Sequence, residues 1–290
     1  MTANREMGGQ GARRRSGMLF LKCISWGALI SSAVLVVVWV LGSRGEWMSM
    51  RLMSVAERKW QQDDYLGAIH DYEQLIEAYP KSELIPGAYY WKGLTFLLYL
   101  DDAEVAVAAF KKVIQLEKVR GVSEHSLSAR RRLAEVYERQ LKRPTEAIST
   151  YESIVATSND PEQVLASRFK IGELYYEMGD MAQARVEWDL IVENAPRSAW
   201  APSALYRKAG SYFVSGACEA AVPVYKTLYT TYPKDENSRF AKFRAANCFE
   251  MDEQPTEALN LYKELEENYP DPAMIKQKVD ALNALILQDS

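Results

Sequence analysis

Residues 171–196 read IGELYYEMGDMAQARVEWDLIVENAP. Within this stretch Ala184 is followed four residues later by Trp188, and three residues after that by Ile191. Residues four and seven apart lie on the same face of an α-helix, so the spacing predicts a helix with one buried stripe. Pro196 cannot continue a helix and marks where it ends.

The same stripe occurs six times along the chain. The first residues of successive sets are 38, 41, 37, 37 and 37 residues apart. A period of this length indicates stacked helical hairpins, so the sequence predicts an all-α solenoid. The six sets are Ala68/Tyr72/Leu75, Ala106/Phe110/Val113, Ala147/Tyr151/Ile154, Ala184/Trp188/Ile191, Ala221/Tyr225/Leu228 and Ala258/Tyr262/Leu265.

Each repeat contains two predicted helices. In the repeat that contains the stretch quoted above, the first helix covers residues 166–178, a turn follows at Gly179-Asp180, and the second helix covers residues 182–194. The repeats together occupy residues 50–271. A last helix over residues 272–290 has an apolar stripe and a polar back, as expected of a helix that caps the open end of a solenoid.

These features resemble the tetratricopeptide repeat family. The residues that carry the resemblance are Ile171-Gly172, Tyr175, Gly179-Asp180, Ala184, Trp188 and Pro196. A small residue at the Gly172 position lets the two helices approach closely, and the other repeats have Ala56, Gly93, Ala134, Ala209 and Ala246 there. The resemblance implies a right-handed α-solenoid of about six helix-turn-helix repeats. The Tyr-Pro linkers are similar to those of family members from the bacterial cell envelope.

Residues 18–42 predict a transmembrane signal-anchor helix ahead of the repeats. No charged residue occurs from Cys23 to Leu41, and residues 18–21 extend the apolar run across Lys22. At 1.5 Å per residue, residues 18–41 are long enough to cross about 30 Å of hydrocarbon. A cleavable signal peptide has a shorter apolar region and a small-x-small exit, so an uncleaved anchor is favoured over a cleaved one.

The charges around this segment predict its orientation. The cluster Arg13–Arg15 favours an inside N-terminus, and residues 1–17 are predicted to be a disordered basic cytoplasmic tail. Residues 43–49 are predicted to be a linker. We therefore expect a single-pass protein of the inner (cytoplasmic) membrane with its repeats in the periplasm. The alternative is the reversed orientation, with the repeats facing the cytosol.

Composition argues against several classes of function. The formal net charge is −4, and residues 1–22 carry +4, which leaves −8 for the rest of the chain. An acidic body is not expected to bind nucleic acid. The two histidines, His70 and His125, do not stand in a metal-ligand spacing, and no set of nucleophile, base and orienting residue can be assembled. The sequence therefore predicts no enzyme, no metal and no cofactor.

The first helices of such a solenoid line its concave face, where we predict a partner-binding groove. The side chains there are mainly aromatic, which favours binding of peptide segments from envelope proteins over clamping of acidic tails. The alternative is that some of these rings only pack between neighbouring repeats. The predicted groove residues are Trp60, Tyr90, Leu94, Arg131, Phe169, Glu173, Tyr176, Tyr206, Phe213, Phe243 and Asn247.

Two cysteines, Cys218 and Cys248, lie within the repeats, and the alignment of the repeats places them near each other. In an oxidising compartment they could form a disulfide; the alternative is two small buried apolar residues.

The function predicted from these features is that of a membrane-anchored scaffold. It would mediate protein–protein interactions in outer-membrane biogenesis, secretion or cell-wall assembly. One alternative is a periplasmic chaperone-like holdase near the secretion machinery. The other is a cytosol-facing membrane receptor with reversed topology.

Overall fold

Thirteen helices and no strand occur in residues 45–288, which are the residues that the computed structural model describes. The chain divides into two units, Met1–Asp102 and Ala103–Ser290. No helix in the described range combines the length and the hydropathy needed to cross a bilayer. The predicted anchor over residues 18–42 and the predicted tail over residues 1–17 lie outside that range.

The first unit contains three described helices. They are α1 (45–61), α2 (Tyr65–Ala78) and α3 (Ile85–Tyr99). Helix α2 packs on α3, and an ion pair between Lys59 and Asp71 joins α1 to α2. Asp64 caps α2, because its carboxylate accepts a hydrogen bond from the backbone N–H of Gly67 at 2.9 Å. These helices correspond to the first predicted repeat and the first helix of the second.

The start of α1 differs from the sequence prediction. Residues 45–49 were predicted to belong to a linker, but they are helical. A long-range contact holds this segment in place: Ser49 is fully buried, and the Ser82 hydroxyl donates a hydrogen bond to Ser49 Oγ at 2.9 Å. The Ser49 hydroxyl in turn donates to the Glu46 carbonyl at 2.8 Å. The first turn of α1 is therefore held against the loop after α2.

The second unit contains ten helices, and neighbours in sequence pack on each other. The helices are α4 (Ala103–Arg120), α5 (Ser126–Glu135), α6 (Pro144–Thr157), α7 (Pro161–Glu177), α8 (Met181–Asn194), α9 (Trp200–Val214), α10 (Cys218–Thr231), α11 (Glu236–Met251), α12 (Pro255–Lys263) and α13 (Pro272–Gln288). In addition α7 contacts α9 and α9 contacts α11, so the first helices of successive repeats stack directly. This is the arrangement of stacked helical hairpins that the repeat period predicts.

The turns within the repeats follow from local chemistry. Gly179 adopts φ of +83°, a left-handed conformation that glycine adopts without steric cost. Asp180 then caps α8 by accepting a hydrogen bond from the backbone N–H of Gln183 at 3.1 Å. In the third repeat α5 runs into a π-helical turn, Val136–Gln140, which takes up one extra residue. That turn lies in the repeat with the longest spacing.

The core is built from the six predicted stripes. No side chain in the six Ala-aromatic-aliphatic sets is more than 5% exposed. The aromatic members Tyr72, Tyr225 and Tyr262 and the indole of Trp188 are among the largest fully buried side chains. The predicted buried stripes are therefore confirmed, and their residues hold the hairpins together rather than forming a binding surface on their own.

Candidate protein-binding groove

A cavity of about 210 Å³ opens on the stacked first helices of the second unit. It brings together three of the predicted groove residues: Tyr176 from α7, and Tyr206 and Phe213 from α9. Its remaining wall is formed by Arg207, Gly210, Val214, Tyr225 and Arg244.

The rings of this cavity are held in place by the core behind them. The Tyr206 ring lies 6.1 Å from that of Tyr225, and the Tyr176 ring lies 6.1 Å from that of Trp188. Tyr225 and Trp188 are fully buried, so the half-buried rings of Tyr206 and Tyr176 pack against side chains of the core. Because their rotamers are already restricted, these rings can contact a partner at a low cost in side-chain entropy.

The charges around the cavity are only partly neutralised. Arg207 pairs with Glu173 at 2.7 Å, and the other oxygen of Glu173 lies 3.5 Å from Lys170. The Arg244 guanidinium lies 4.9 Å from the centre of the Phe213 ring, and no carboxylate within residues 45–288 forms an ion pair with it. Burial raises the pKa of Tyr225, so its hydroxyl stays neutral beside this cation.

The repeat period explains why Arg244 forms no ion pair with the residues that the structure describes. Arg207 and Arg244 are 37 residues apart and occupy the same position in successive repeats. Glu173 and Gly210 are also 37 residues apart. Arg244 therefore faces a glycine where Arg207 faces a carboxylate, and the missing side chain also leaves space in the cavity wall.

Comparison with known proteins agrees with this repeat architecture. One tetratricopeptide repeat family model matches residues 166–198 and 240–272, and a second matches residues 97–164. The chain is a tetratricopeptide repeat protein. Members of this family are typically non-catalytic modules that bind other proteins. No curated protein sequence matches the chain.

Solved structures resemble the fold of this tetratricopeptide repeat protein at low sequence identity. Naa15/Naa10 bound to HypK-THB aligns with a TM-score of 0.53 and 15% identity, covering 83% of this chain and 34% of that chain. PilW, described as a widely conserved type IV pilus biogenesis factor, aligns with a TM-score of 0.45 and 14% identity over 81% of this chain and 98% of its own. PilF of Pseudomonas aeruginosa aligns with a TM-score of 0.43 and 13% identity, covering 83% of this chain and 98% of its own. At these identities the likeness concerns the fold alone.

Other predicted groove residues of the second unit lie outside the cavity. Phe243 stacks on Tyr269 with ring centres 4.9 Å apart, and the amide oxygen of Asn247 accepts a hydrogen bond from the Tyr262 hydroxyl. Phe169 packs on Trp200 at 5.3 Å. Arg131 is exposed on α5. For Phe169, Phe243 and Asn247, packing between helices accounts for the side chain, as the alternative reading of the groove allowed.

The predicted groove residues of the first unit belong to an aromatic cluster of its own. The Trp60 ring meets the rings of Trp91 and Tyr99 edge to face at 5.7 and 5.6 Å. Tyr90 packs edge to face on Trp91 at 5.8 Å. Leu94 is only 8% exposed, so it offers little surface to a partner. Its position on α3 points it into the core.

The sequence prediction missed five residues of the cavity wall: Arg207, Gly210, Val214, Tyr225 and Arg244. Tyr225 was assigned to packing alone because it belongs to a buried stripe. The signal for Arg207 and Arg244 was present in the repeat period, since a basic residue recurs there after an interval of 37. The significance of Gly210 depends on which residue of the next repeat it faces.

A larger cavity of about 370 Å³ lies between α10, the start of α11 and the segment that follows α12, but its walls are occupied by internal contacts. Lys242 pairs with Glu264 at 2.7 Å, and the Asp235 carboxylate caps α11 by accepting from the backbone N–H of Asn237. These carboxylates are already used by the fold, so this cavity is a weaker candidate for binding a partner.

Cys218 and Cys248 form a disulfide in the structure, with their Cα atoms 5.2 Å apart. The bond joins the start of α10 to α11, so it links the second helix of one repeat to the first helix of the next. Because α11 carries Arg244 and α10 carries Tyr225, this link also connects two elements of the cavity wall.

Proposed function

We propose that this tetratricopeptide repeat protein is a membrane-anchored scaffold that binds a segment of another protein of the bacterial cell envelope. The observation that carries the proposal is the cavity where α7, α9 and α11 stack. There, three half-buried aromatic rings face one space together with Arg244, which has no ion pair within residues 45–288. Rigid aromatic side chains beside an arginine are the composition that dominates binding energy at protein interfaces.

The chemistry of the cavity indicates the kind of segment that it binds. Tyr176, Tyr206 and Phe213 enclose room for one large apolar or aromatic side chain. Arg244 at its edge attracts a negative charge on a neighbouring residue of the same segment. The preferred ligand is thus a peptide segment in which an apolar side chain lies next to a carboxylate.

The envelope location rests on the sequence before the repeats and on the cysteines. An apolar run over residues 18–41 behind the cluster Arg13–Arg15 favours an uncleaved anchor with the repeats outside the cytoplasm. A disulfide between Cys218 and Cys248 is typical of a protein in an oxidising compartment.

Site-specific photocrosslinking in living cells tests the proposal. A crosslinking amino acid at Tyr206 or Phe213 should capture one partner, whereas the same amino acid at Val186, which is exposed on the second helix α8, should capture none. Replacing Tyr176, Tyr206 and Phe213 together should abolish capture in a chain that keeps its helical circular dichroism spectrum. Capture of many unrelated proteins at Tyr206 would instead favour the holdase. Equal capture from Tyr206 and Val186 would reject the cavity as the binding site.

A further inference from the structure

The start of α1 exposes an unusual set of apolar side chains. Trp47 is 57% exposed, Met50 is 51% exposed and Met48 is 38% exposed. Further along the same helix the exposed residues are polar and include Ser54 and Arg58. Within the described residues 45–61, the exposed apolar side chains are therefore confined to residues 47–50, at the end that is nearest in sequence to the apolar segment.

These side chains stand on a fixed surface. Ser49, which lies between them in sequence, is fully buried and accepts a hydrogen bond from the Ser82 hydroxyl at 2.9 Å. The first turn of α1 is thus part of the folded first unit rather than a tether to it. Whatever Trp47, Met48 and Met50 contact is brought into contact with the first unit as a whole.

The chain limits how far this surface can lie from the proposed anchor. Five residues lie between Leu41 and Trp47, and the six residue steps that join them span at most about 20 Å even when fully extended. A bilayer adds about 5–8 Å of headgroup region on each side of its hydrocarbon. Trp47 is therefore held within reach of the headgroups of any bilayer that residues 18–41 cross.

We infer that the first two turns of α1 lie in the headgroup layer, with Trp47, Met48 and Met50 inserted among the lipids. This inference rests on the anchor in the proposed function. Tryptophan is enriched at this depth because its ring is apolar and its N–H is polar. Arg51 is exposed beside it, with its guanidinium 5.8 Å from the Trp47 ring, and can contact lipid phosphates. The first unit then rests on the membrane surface at a fixed height.

Spin-label accessibility in the full-length chain tests this inference. The chain is reconstituted in vesicles of phosphatidylethanolamine and phosphatidylglycerol, in a Cys23→Ser background. A nitroxide is attached through Met48→Cys or Met50→Cys and compared with one at Gln61→Cys, at the other end of α1. The quantity measured is the ratio of a label's collision rate with oxygen to its collision rate with a water-soluble nickel chelate. This ratio should be several-fold higher for the labels at 48 and 50 than for the label at 61.

Leu66→Cys provides a matched control. Leu66 is as apolar as the methionines and is 70% exposed, but it follows the far end of α1, about 24 Å along the helix axis from residue 45. A nitroxide attached there should be as accessible to the nickel chelate as a label in water. If the labels at 48 and 50 are as accessible to the nickel chelate as the labels at 61 and 66, the inference is overturned.

A label at Val36→Cys separates this inference from the proposed anchor. If residue 36 lies in hydrocarbon while residues 48 and 50 lie in water, the anchor stands and only the docking of α1 is wrong. If residue 36 also lies in water, both the anchor and the docking are wrong. Partner capture from Tyr206 is measured independently of either result.

Discussion

Gly172 on α7 lies directly against the indole of Trp188 on α8. A Cβ atom at Gly172 would lie 2.5 Å from Trp188 Nε1 and 3.0 Å from two further ring atoms. Trp188 is fully buried and cannot move aside. The next repeat has Ala209 and Tyr225 at the equivalent positions. The larger ring, Trp188, is thus paired with glycine, and the smaller ring, Tyr225, is paired with alanine.

Gly172→Ala should therefore destabilise the protein. Overpacking a core costs about 1–3 kcal/mol, while replacing a helical glycine with alanine returns about 1 kcal/mol, so we expect a net loss of about 1 kcal/mol. In a Trp188→Tyr background the same substitution should be neutral or stabilising, because the pair then matches that of the next repeat. Urea unfolding of the four chains gives the coupling, and strictly additive effects would contradict this account.

The core of this protein could be predicted from sequence because its pattern is local. The Ala-aromatic-aliphatic stripe repeats within eight residues, and burial of every set follows from helix geometry. The start of α1 could not be predicted this way, since Gly42-Ser43-Arg44-Gly45 has the composition of a break. Residues 45–49 are helical, and Ser49 contacts Ser82, which is 33 residues away in the chain.

The candidate site was predictable only in part for the same reason. The helix period placed Tyr176, Tyr206 and Phe213 on one face, and the structure brings them together. The same rule also selected Leu94, which is buried, and Asn247, whose amide oxygen accepts a hydrogen bond from the Tyr262 hydroxyl. Whether a half-buried ring faces a partner or another repeat depends on side chains about 37 residues away, which a local pattern does not encode.

Two buried tyrosines should respond oppositely to the same substitution. The Tyr72 hydroxyl is buried and has no hydrogen-bond partner within residues 45–288, whereas the Tyr151 hydroxyl donates to Glu138 at 2.8 Å. Tyr72→Phe removes an unsatisfied buried group and should raise the free energy of unfolding by up to about 1 kcal/mol. Tyr151→Phe should lower it by about 1–2 kcal/mol, because a hydrogen bond to a charged group is lost. Urea unfolding measures both, and changes of the same sign would refute this assignment.

The raised pKa of Tyr151 also predicts how the free energy of unfolding changes at alkaline pH. Burial and the hydrogen bond with Glu138 raise the pKa of its hydroxyl above the unfolded value of about 10. The stability that this neutral hydroxyl contributes is complete below pH 10 and is lost as the pH rises further, by at most about 1.4 kcal/mol per pH unit. Tyr151→Phe should make the decline above pH 10 shallower. An unchanged slope in unfolding experiments between pH 9 and 11 would count against it.

The Cys218–Cys248 bond should contribute to stability and should report the compartment. The cysteines are separated by 30 residues, and closing a loop of this size stabilises a fold by about 3–4 kcal/mol in the chain-entropy model. Dithiothreitol should lower the thermal midpoint of the full chain in detergent micelles. The Cys218→Ala/Cys248→Ala chain should have that lower midpoint already and should not respond to the reductant.

Thiol trapping in intact cells completes this test. Repeats outside the cytoplasm should resist alkylation at Cys218 and Cys248 until a reductant is added. Fully reduced cysteines in freshly trapped cells would instead support the reversed orientation, with the repeats in the reducing cytosol.

The relation between Gly210 and Arg244 gives the sharpest test of the groove. Gly210→Glu restores the carboxylate that Glu173 supplies to Arg207 in the previous repeat, and its side chain would occupy the cavity. The nearest atom to a new Cβ is the Tyr225 hydroxyl oxygen at 3.9 Å, an ordinary contact, so the fold should tolerate the change. Because hot-spot losses are about 2 kcal/mol or more, capture of the partner from Phe213 should fall by about tenfold or more.

Gly210→Ala is the matched control for that substitution. Like Gly210→Glu, it replaces a helical glycine with a residue of higher helix propensity. Unlike Gly210→Glu, it leaves the cavity open and adds no carboxylate beside Arg244, so partner capture should remain close to that of the parent chain. Arg244→Gln should weaken capture without filling the cavity, and most strongly at low ionic strength, where attraction between charges is least screened. If Gly210→Glu binds the partner as well as Gly210→Ala does, the partner does not use this cavity, and the proposed role of Arg244 fails with it.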